Sequence, residues 1–353
     1  RDPIHPTVLL YRILVAMAKQ SSHGSLLIWI PCMVALLGVC WALLQQEATH
    51  KELTILVTGL VTSITGTEEQ RAALPQTTPE KERDAFVIAF FVVAIFEVNW
   101  ALRLLVVEPL TRLIIGSRGD PLIKFSQSVL EALVYGTFTI IGIAIVPNQP
   151  WSWPSSNWWK GFDSGDHLIM RSDLRCFYIL YAARYIQAAV TVLLEPKRKD
   201  FLEMMVHHIV TIGVVYVSYF GGWNRVGVVV MVLLDPADVP LHLAKLCKYT
   251  SEALHMNIWQ FFADRLFEFF AVLFFVTRLV MFGYVCWSAH IESQRYFRLD
   301  YAAMLCVVLL YSLMVLQLYW FGLILKVAVK LMRGQGVEDI RSDDEDEDPK
   351  KKN

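Results

Sequence analysis

Eight stretches of this chain are each long and apolar enough to cross a lipid bilayer, and that one feature removes most architectures from consideration. A spanning helix needs about 20 mostly apolar residues, because hydrocarbon offers no partner to an exposed peptide group. The stretches run roughly over 25–45, 85–107, 129–147, 173–194, 202–221, 223–246, 258–286 and 301–330. The expected fold is therefore all-α, a polytopic membrane protein of about eight transmembrane helices. A ninth apolar stretch, 53–64, is short and rich in Thr and Gly. It reads as part of a polar luminal loop over 46–84 that connects and does not act. Composition agrees, with 55% apolar residues, 18% charged residues and a mean hydropathy of +0.44; soluble domains carry about 45–50% and 25%. Lys and Arg (32) nearly balance Asp and Glu (33), so no basic excess points to nucleic acid.

Eight spans put both termini on one side, and Lys and Arg choose it. With that side cytosolic, the cytosolic connections hold Arg12, Lys19, Arg112, Arg118, Lys124, Lys197, Arg198, Lys199, Lys245, Lys248, Lys330 and Arg333. The short loops opposite hold only Lys160, Arg171, Arg225, Arg295 and Arg298. Both termini are expected in the cytosol. The first stretch has no small-residue cleavage site behind it and reads as a retained span, not a signal peptide. The organisation is then a cytosolic segment over 1–24, a first helix over 25–45, the luminal loop over 46–84, a second helix with its cytosolic loop over 85–119, the main helical domain over 120–333 and an acidic cytosolic tail over 334–353. The six cysteines are scattered without metal or disulfide spacing and read as small core residues. The 147–165 stretch holds four of the eleven tryptophans between turn residues, as an interfacial aromatic belt or, alternatively, a ligand cage would.

Ionisable groups at membrane depth are costly, so each needs a reason. The densest set lies on two neighbouring spans. FLEMMVHHIVTIGVVYVSYF (201–220) carries His207 and His208, and the next span carries Asp235 and Asp238, then His242. A short turn around Gly221, Gly222, Trp223 and Asn224 makes the two helices antiparallel neighbours. At about 1.5 Å rise per residue, the histidines lie roughly 20 Å from the shared end and the aspartates roughly 18 and 22 Å, one common level. Imidazole suits proton transfer near neutral pH, and a carboxylate can orient it and stabilise its charged form. The alternatives are polar plugs between helices, or a metal site. Adjacent histidines diverge from a common ion, whereas helical metal sites favour i, i+4 spacing, so no metal is expected. Pro236 and Pro240 interrupt the helix beside the aspartates, which suits a cavity there. Arg103, Arg184, Asp264, Arg265, Glu268 and Arg278 either line the same interior or form structural pairs, and the sequence leaves that open.

KRKDFLEMMVHHIVT (197–211) followed by LLDPADVPLHLAKLCKY (233–249) resembles the Lag motif of ceramide synthases, the sphingoid-base N-acyltransferases of the TLC-domain family, and its pattern is closest to the fungal branch. Similarity continues through 263–282, 313–347 and WWKGF (158–162). The resemblance implies a TLC-domain helical bundle enclosing a lipid cavity in the endoplasmic reticulum membrane. It implies transfer of a fatty acyl group from acyl-CoA to a sphingoid long-chain base to form ceramide, with no cofactor. It implies that His207, His208, Asp235 and Asp238 are required. The partners it implies are acyl-CoA, the base, membrane lipid and, in an oligomer, a further copy or a small single-span regulatory subunit. The chain departs at Leu234, where many members carry His, at Pro236 and Pro240, and at His242; it also lacks a homeobox-like stretch before the TLC region. The competing expectation is a non-enzymatic TLC relative that binds lipid or assists translocation.

Two basic or acidic clusters complete the reading. Lys197, Arg198 and Lys199 either anchor the helix at the cytosolic surface or dock the CoA phosphates. The tail is too charged to pack. Its six acids from Asp343 to Asp348 turn the formal charge of −1 into +5 when set aside. Ser342 precedes them as an acidophilic-kinase phosphorylation site, and Lys350 and Lys351 stand where a dilysine retrieval signal or a plain solvated charge run would.

Overall fold

The computed structural model describes residues 26–116, 120–162, 164–194 and 200–333, with side chains from Val34 onward except Asp120. The 1–24 segment, Lys197, Arg198, Lys199 and the tail with Ser342, Lys350 and Lys351 lie outside the described residues. The helices are α1 (Leu26–Leu44), α2 (Glu47–Thr65), α3 (Lys81–Ile115), α4 (Asp120–Ile145), α5 (Ser172–Leu194), α6 (Phe201–Phe220), α7 (Asn224–Leu234), α8 (Asp238–Leu254), α9 (Asn257–Arg295) and α10 (Tyr301–Met332). Seven helical runs among the described residues are long and apolar enough to cross a membrane, with α7 and α8 forming one of them. With α1 on the first expected stretch, the helices follow the eight apolar stretches of the sequence. The molecule is an all-α polytopic membrane protein.

Its surface confirms the solvent. Leu105, Leu113, Ile140 and Val272 face outward, while Asp84, Arg175, Arg184, His208 and Asp235 are buried. Polar groups inside and apolar groups outside is the distribution lipid requires, since hydrocarbon charges nothing for an exposed Leu and heavily for an exposed carboxylate. Local signals set the ends. Asp300 caps α10 by accepting from the Ala303 N–H at 2.7 Å. Gly116, at φ +60°, ends α3 in the left-handed conformation that a Cβ disfavours. Within α3 and α9 the backbone widens to π turns at Arg103–Val107, Phe275–Met281 and Ser288–Glu292, each of which rotates the following face.

The expected luminal loop over 46–84 is corrected. Residues 47–65 form α2, which packs on α5 along Thr49, Glu52, Leu53, Leu56, Gly59 and Ser63. Hydropathy missed it because the buried stripe mixes Thr49, Glu52 and Ser63 with Leu53 and Leu56, while Val57 and Val61 point outward. Gly59 makes the approach possible, since a Cβ there would meet Ser172 Oγ at 2.3 Å. The chain then passes through a helical turn at Glu68–Ala72, closed by a Thr67/Gln70 capping box. A two-residue strand β1 (Gln76–Thr77) pairs antiparallel with β2 (Met170–Arg171), with Gln76 opposite Arg171. This bridge tethers the segment to the start of α5.

The tryptophan-rich stretch is not purely a belt. Trp153 is exposed, but Trp158 and Trp159 are buried in a cluster with Trp223 and Leu310. Their indoles donate to the Ser152 carbonyl at 3.0 Å and to Ser288 Oγ at 2.9 Å, closing one end of the bundle.

Candidate active site

The inward face of α6 reads His208, Thr211, Val215, Ser218 and Tyr219, a stripe at helical spacing that turns His208 into the bundle. His208 is 5% exposed. His207, one residue back and about 100° around the helix, is half-buried and faces α10, where its ring meets Trp320 edge-on at 5.2 Å. The two imidazoles are 5.5 Å apart, and the Tyr185 ring of α5 stands 5.8 Å from each.

Tyr185 leads to the first aspartate. Its hydroxyl oxygen lies 3.5 Å from that of Tyr181, one helical turn earlier, and Tyr181 donates to Asp235 at 3.2 Å. Asp235 also accepts from Arg184 Nη1 at 2.8 Å. Both members of this pair are buried, so the carboxylate answers a charge that would otherwise be prohibitive. The guanidinium of Arg184 lies 4.3 Å over Tyr135 and 4.9 Å over Phe138, and Tyr135 in turn stacks on His242.

The second aspartate sits where the helix breaks. α7 stops at Leu234 and α8 starts at Asp238, because Pro236 and Pro240 supply no N–H to the preceding carbonyls. The Asp238 N–H turns back to the Asp235 carbonyl at 3.0 Å, leaving the Leu234 carbonyl free. Arg278, aimed inward by the π turn of α9, inserts into this break. Its Nε donates to the Leu234 carbonyl at 2.9 Å, its Nη2 donates to Leu234 and to Asp238, and its Nη1 reaches Gln317 of α10 at 3.4 Å.

The structure thus gathers His207, His208, Asp235 and Asp238 around Tyr185, Arg278 and Trp320. One expected contact is corrected: among the described residues no hydrogen bond joins either histidine to either aspartate. Each carboxylate is taken by an arginine, because a buried guanidinium in reach binds a carboxylate more strongly than a neutral imidazole can. The break opened by the prolines likewise receives the Arg278 guanidinium. A cavity of about 290 Å³ lies apart from this site, beside Trp151, Arg171 and Arg225. Of the charges left open by the sequence, Arg184 and Arg278 belong to the site. Arg265 pairs with Glu268, and Arg103 with Glu108, elsewhere. Tyr135, Tyr181, Tyr185 and Trp320 escaped sequence reasoning. Tyr178, Tyr181 and Tyr185 at i, i+3 and i+7 within a span were the available signal, a polar stripe on one face of a membrane helix.

Residues 124–326 match the model of the TLC domain, more than half of the chain and every residue of this site. The chain belongs to the TLC-domain family. Among relatives of this TLC-domain protein, ASC1-like protein 3 of Oryza sativa subsp. japonica is 30% identical over 279 residues, covering 73% of the chain and 94% of the relative. Ceramide synthase 4 of Mus musculus is 32% identical over 227 residues, 64% of the chain and 55% of the relative. The sphingosine N-acyltransferase-like protein ALT7 of Alternaria alternata is 28% identical over 311 residues, 76% and 69%. The chain therefore spans about half the length of the mouse relative and nearly all of the rice one. The match begins in α4, so α1, α2 and α3 lie outside the matched TLC stretch, although α2 and α3 are bound to it through Arg175.

Proposed function

We propose that this TLC-domain protein is a ceramide synthase, which moves a fatty acyl group from acyl-CoA to the amine of a sphingoid long-chain base such as sphinganine or phytosphingosine. The observation that carries the reading is the tandem His207–His208 pair held against Tyr185, with Asp235 and Asp238 fixed at the same level by Arg184 and Arg278. Relatives named ceramide synthase support it.

The base arrives as an ammonium and cannot attack until it loses a proton, which one of the two imidazoles accepts. The amine nitrogen then bonds to the thioester carbon, the C–S bond breaks, and the CoA thiolate leaves with one proton. Amide formation releases a second proton, so the products are ceramide, CoA thiol and one proton. In a two-step variant the imidazole itself takes the acyl group and passes it to the amine. Asp235 acts here as a positioning residue, through Tyr181 and Tyr185, and not by touching imidazole. Acyl-CoA is the co-substrate, and the reading uses no resident cofactor or metal.

The same reading puts the protein in the endoplasmic reticulum membrane with both termini cytosolic. Lys197, Arg198 and Lys199 then receive the CoA phosphates, and Ser342 is phosphorylated. Replacing His208 with Ala and assaying isolated membranes for ceramide by mass spectrometry tests the function. Loss of ceramide at unchanged protein level is the expected result. Undiminished ceramide formation would leave lipid binding or translocation assistance as the function.

A further inference from the structure

Trp320 carries a donor that the fold leaves unused. Its indole Nε1 is buried and has no hydrogen-bond partner. An indole nitrogen only donates, so no rotation or tautomer relieves it. The chain does satisfy buried indoles elsewhere: Trp158 donates to Ser152 and Trp159 to Ser288. An unmet indole donor beside the histidine pair, in a chain that pairs the indoles of Trp158 and Trp159, asks for an explanation in terms of what binds there.

Its place is specific. α10 turns Trp320 toward the bundle, edge-on to His207 at 5.2 Å and packed against the cluster that contains Ala237, one of the two residues between the aspartates. Gln317, three residues earlier on α10, accepts from Arg278. The indole therefore stands between the histidine pair and the helix break. The charged donors around it are committed: Arg184 to Asp235, and Arg278 to Leu234 and Asp238. A second polar atom at the same site, His208 Nδ1, is also buried without a partner. A donor and a ring nitrogen left over, each in a residue that packs on His207, match the two needs of amide formation from a thioester, an oxygen that gains negative charge and an amine that loses a proton.

We propose that the Trp320 N–H donates to the thioester carbonyl oxygen as the amine attacks, one arm of an oxyanion site. This rests on the function proposed above. As the N–C bond forms, the carbonyl π pair moves onto oxygen, where the indole N–H holds it. As the pair returns, the C–S bond breaks and the thiolate leaves. A neutral donor suits this position, because a free cation beside His207 would oppose the imidazolium that forms when the base gives up its proton.

Two substitutions separate the donor from the ring. Trp320→Phe keeps an aromatic ring against His207 and removes the N–H. Replacing Trp320 with 3-benzothienylalanine keeps the bicyclic shape and exchanges N–H for sulfur, so it folds even where phenylalanine leaves a gap. Ceramide formation is measured in membranes against acyl-CoA concentration, beside the wild type and His208→Ala. Both Trp320 forms are expected to lose about 10²-fold in kcat, the usual cost of one oxyanion donor, with KM for acyl-CoA within about twofold. Wild-type kcat in the benzothienyl form overturns the donor role, including the case in which only phenylalanine loses activity through packing. Full activity of His208→Ala overturns the proposed function itself, a result distinct from either.

Discussion

Arg175 and Arg184 lie on the same helix, nine residues or about 13 Å apart, and both are buried among carboxylates and tyrosines. They differ in what surrounds them. Arg175 donates from Nε to Tyr219 at 3.0 Å and from its two terminal nitrogens to Glu52 and Asp84, while Tyr219 donates back to Asp84 at 2.8 Å. That ring is closed, and it fastens α2 and α3 to α5 and α6. Arg184 meets one carboxylate and several aromatic faces, and one of those rings, Tyr185, packs against both His207 and His208. A buried charge cluster that answers itself builds the frame. The other borders the two histidines, where the proposed reaction takes place.

The contrast can be broken in four ways. The largest effect is expected at the histidines: His207→Ala and His208→Ala should each lower ceramide formation by about 10³-fold or more, since a general base typically supplies about 10²–10⁴. Thermal unfolding in detergent should stay close to wild type, and a large drop in melting temperature would instead make these residues part of the frame. Next comes Arg175→Met, which leaves Glu52 and Asp84 buried without their cation and should cost about 3–5 kcal/mol of stability. A companion variant that also carries Glu52→Gln and Asp84→Asn should recover part of it, because the penalty is the orphaned charge. If the single variant unfolds like wild type, the clasp is not structural.

Asp235→Asn keeps the shape beside Arg184 and Tyr181 but removes the charge. Losing one charged hydrogen-bonding partner is worth about 1.5–3 kcal/mol, so activity should fall about 10- to 100-fold. Full activity in this variant ends the carboxylate's role. The smallest effect belongs to Gly59→Ala, whose Cβ would press on Ser172 Oγ at 2.3 Å and lie 3.2 Å from the Asp173 nitrogen. Overpacking of this kind costs about 1–3 kcal/mol. Limited proteolysis should find the 66–80 connection cut faster, with catalytic parameters unchanged; a shift in KM would tie α2 to the site as well as to the frame.

Much of the site was legible because depth is a local quantity. His207, His208, Asp235 and Asp238 share a level by counting residues from one turn, and the structure gathers them around Tyr185 and Arg278. The arginine partners were not legible in the same way. Arg184 and Arg278 were visible as charges within spans, yet nothing in their spacing said which carboxylate each would meet. α2 failed for a different reason: its buried face holds Thr49, Glu52 and Ser63, so a hydropathy reading sees a weak span and a polar loop where the fold sees a helix matched to Arg175 and Asp173. Trp320 failed because one tryptophan in an apolar helix looks like any other until its nitrogen is found without an acceptor.

By itself the sequence determined the all-α class, the placement of the spans and the common depth of the four polar residues, since apolar length and helical rise depend on neighbours along the chain alone. Only the tertiary structure decided which group answers which. That depends on how each helix is rotated about its own axis, and here the rotation is set by the π turn at Phe275–Met281, which aims Arg278, and by the break between Leu234 and Asp238, which leaves it a carbonyl to bind. A pairing across helices is a relation between rotations, and no single stretch of sequence carries it.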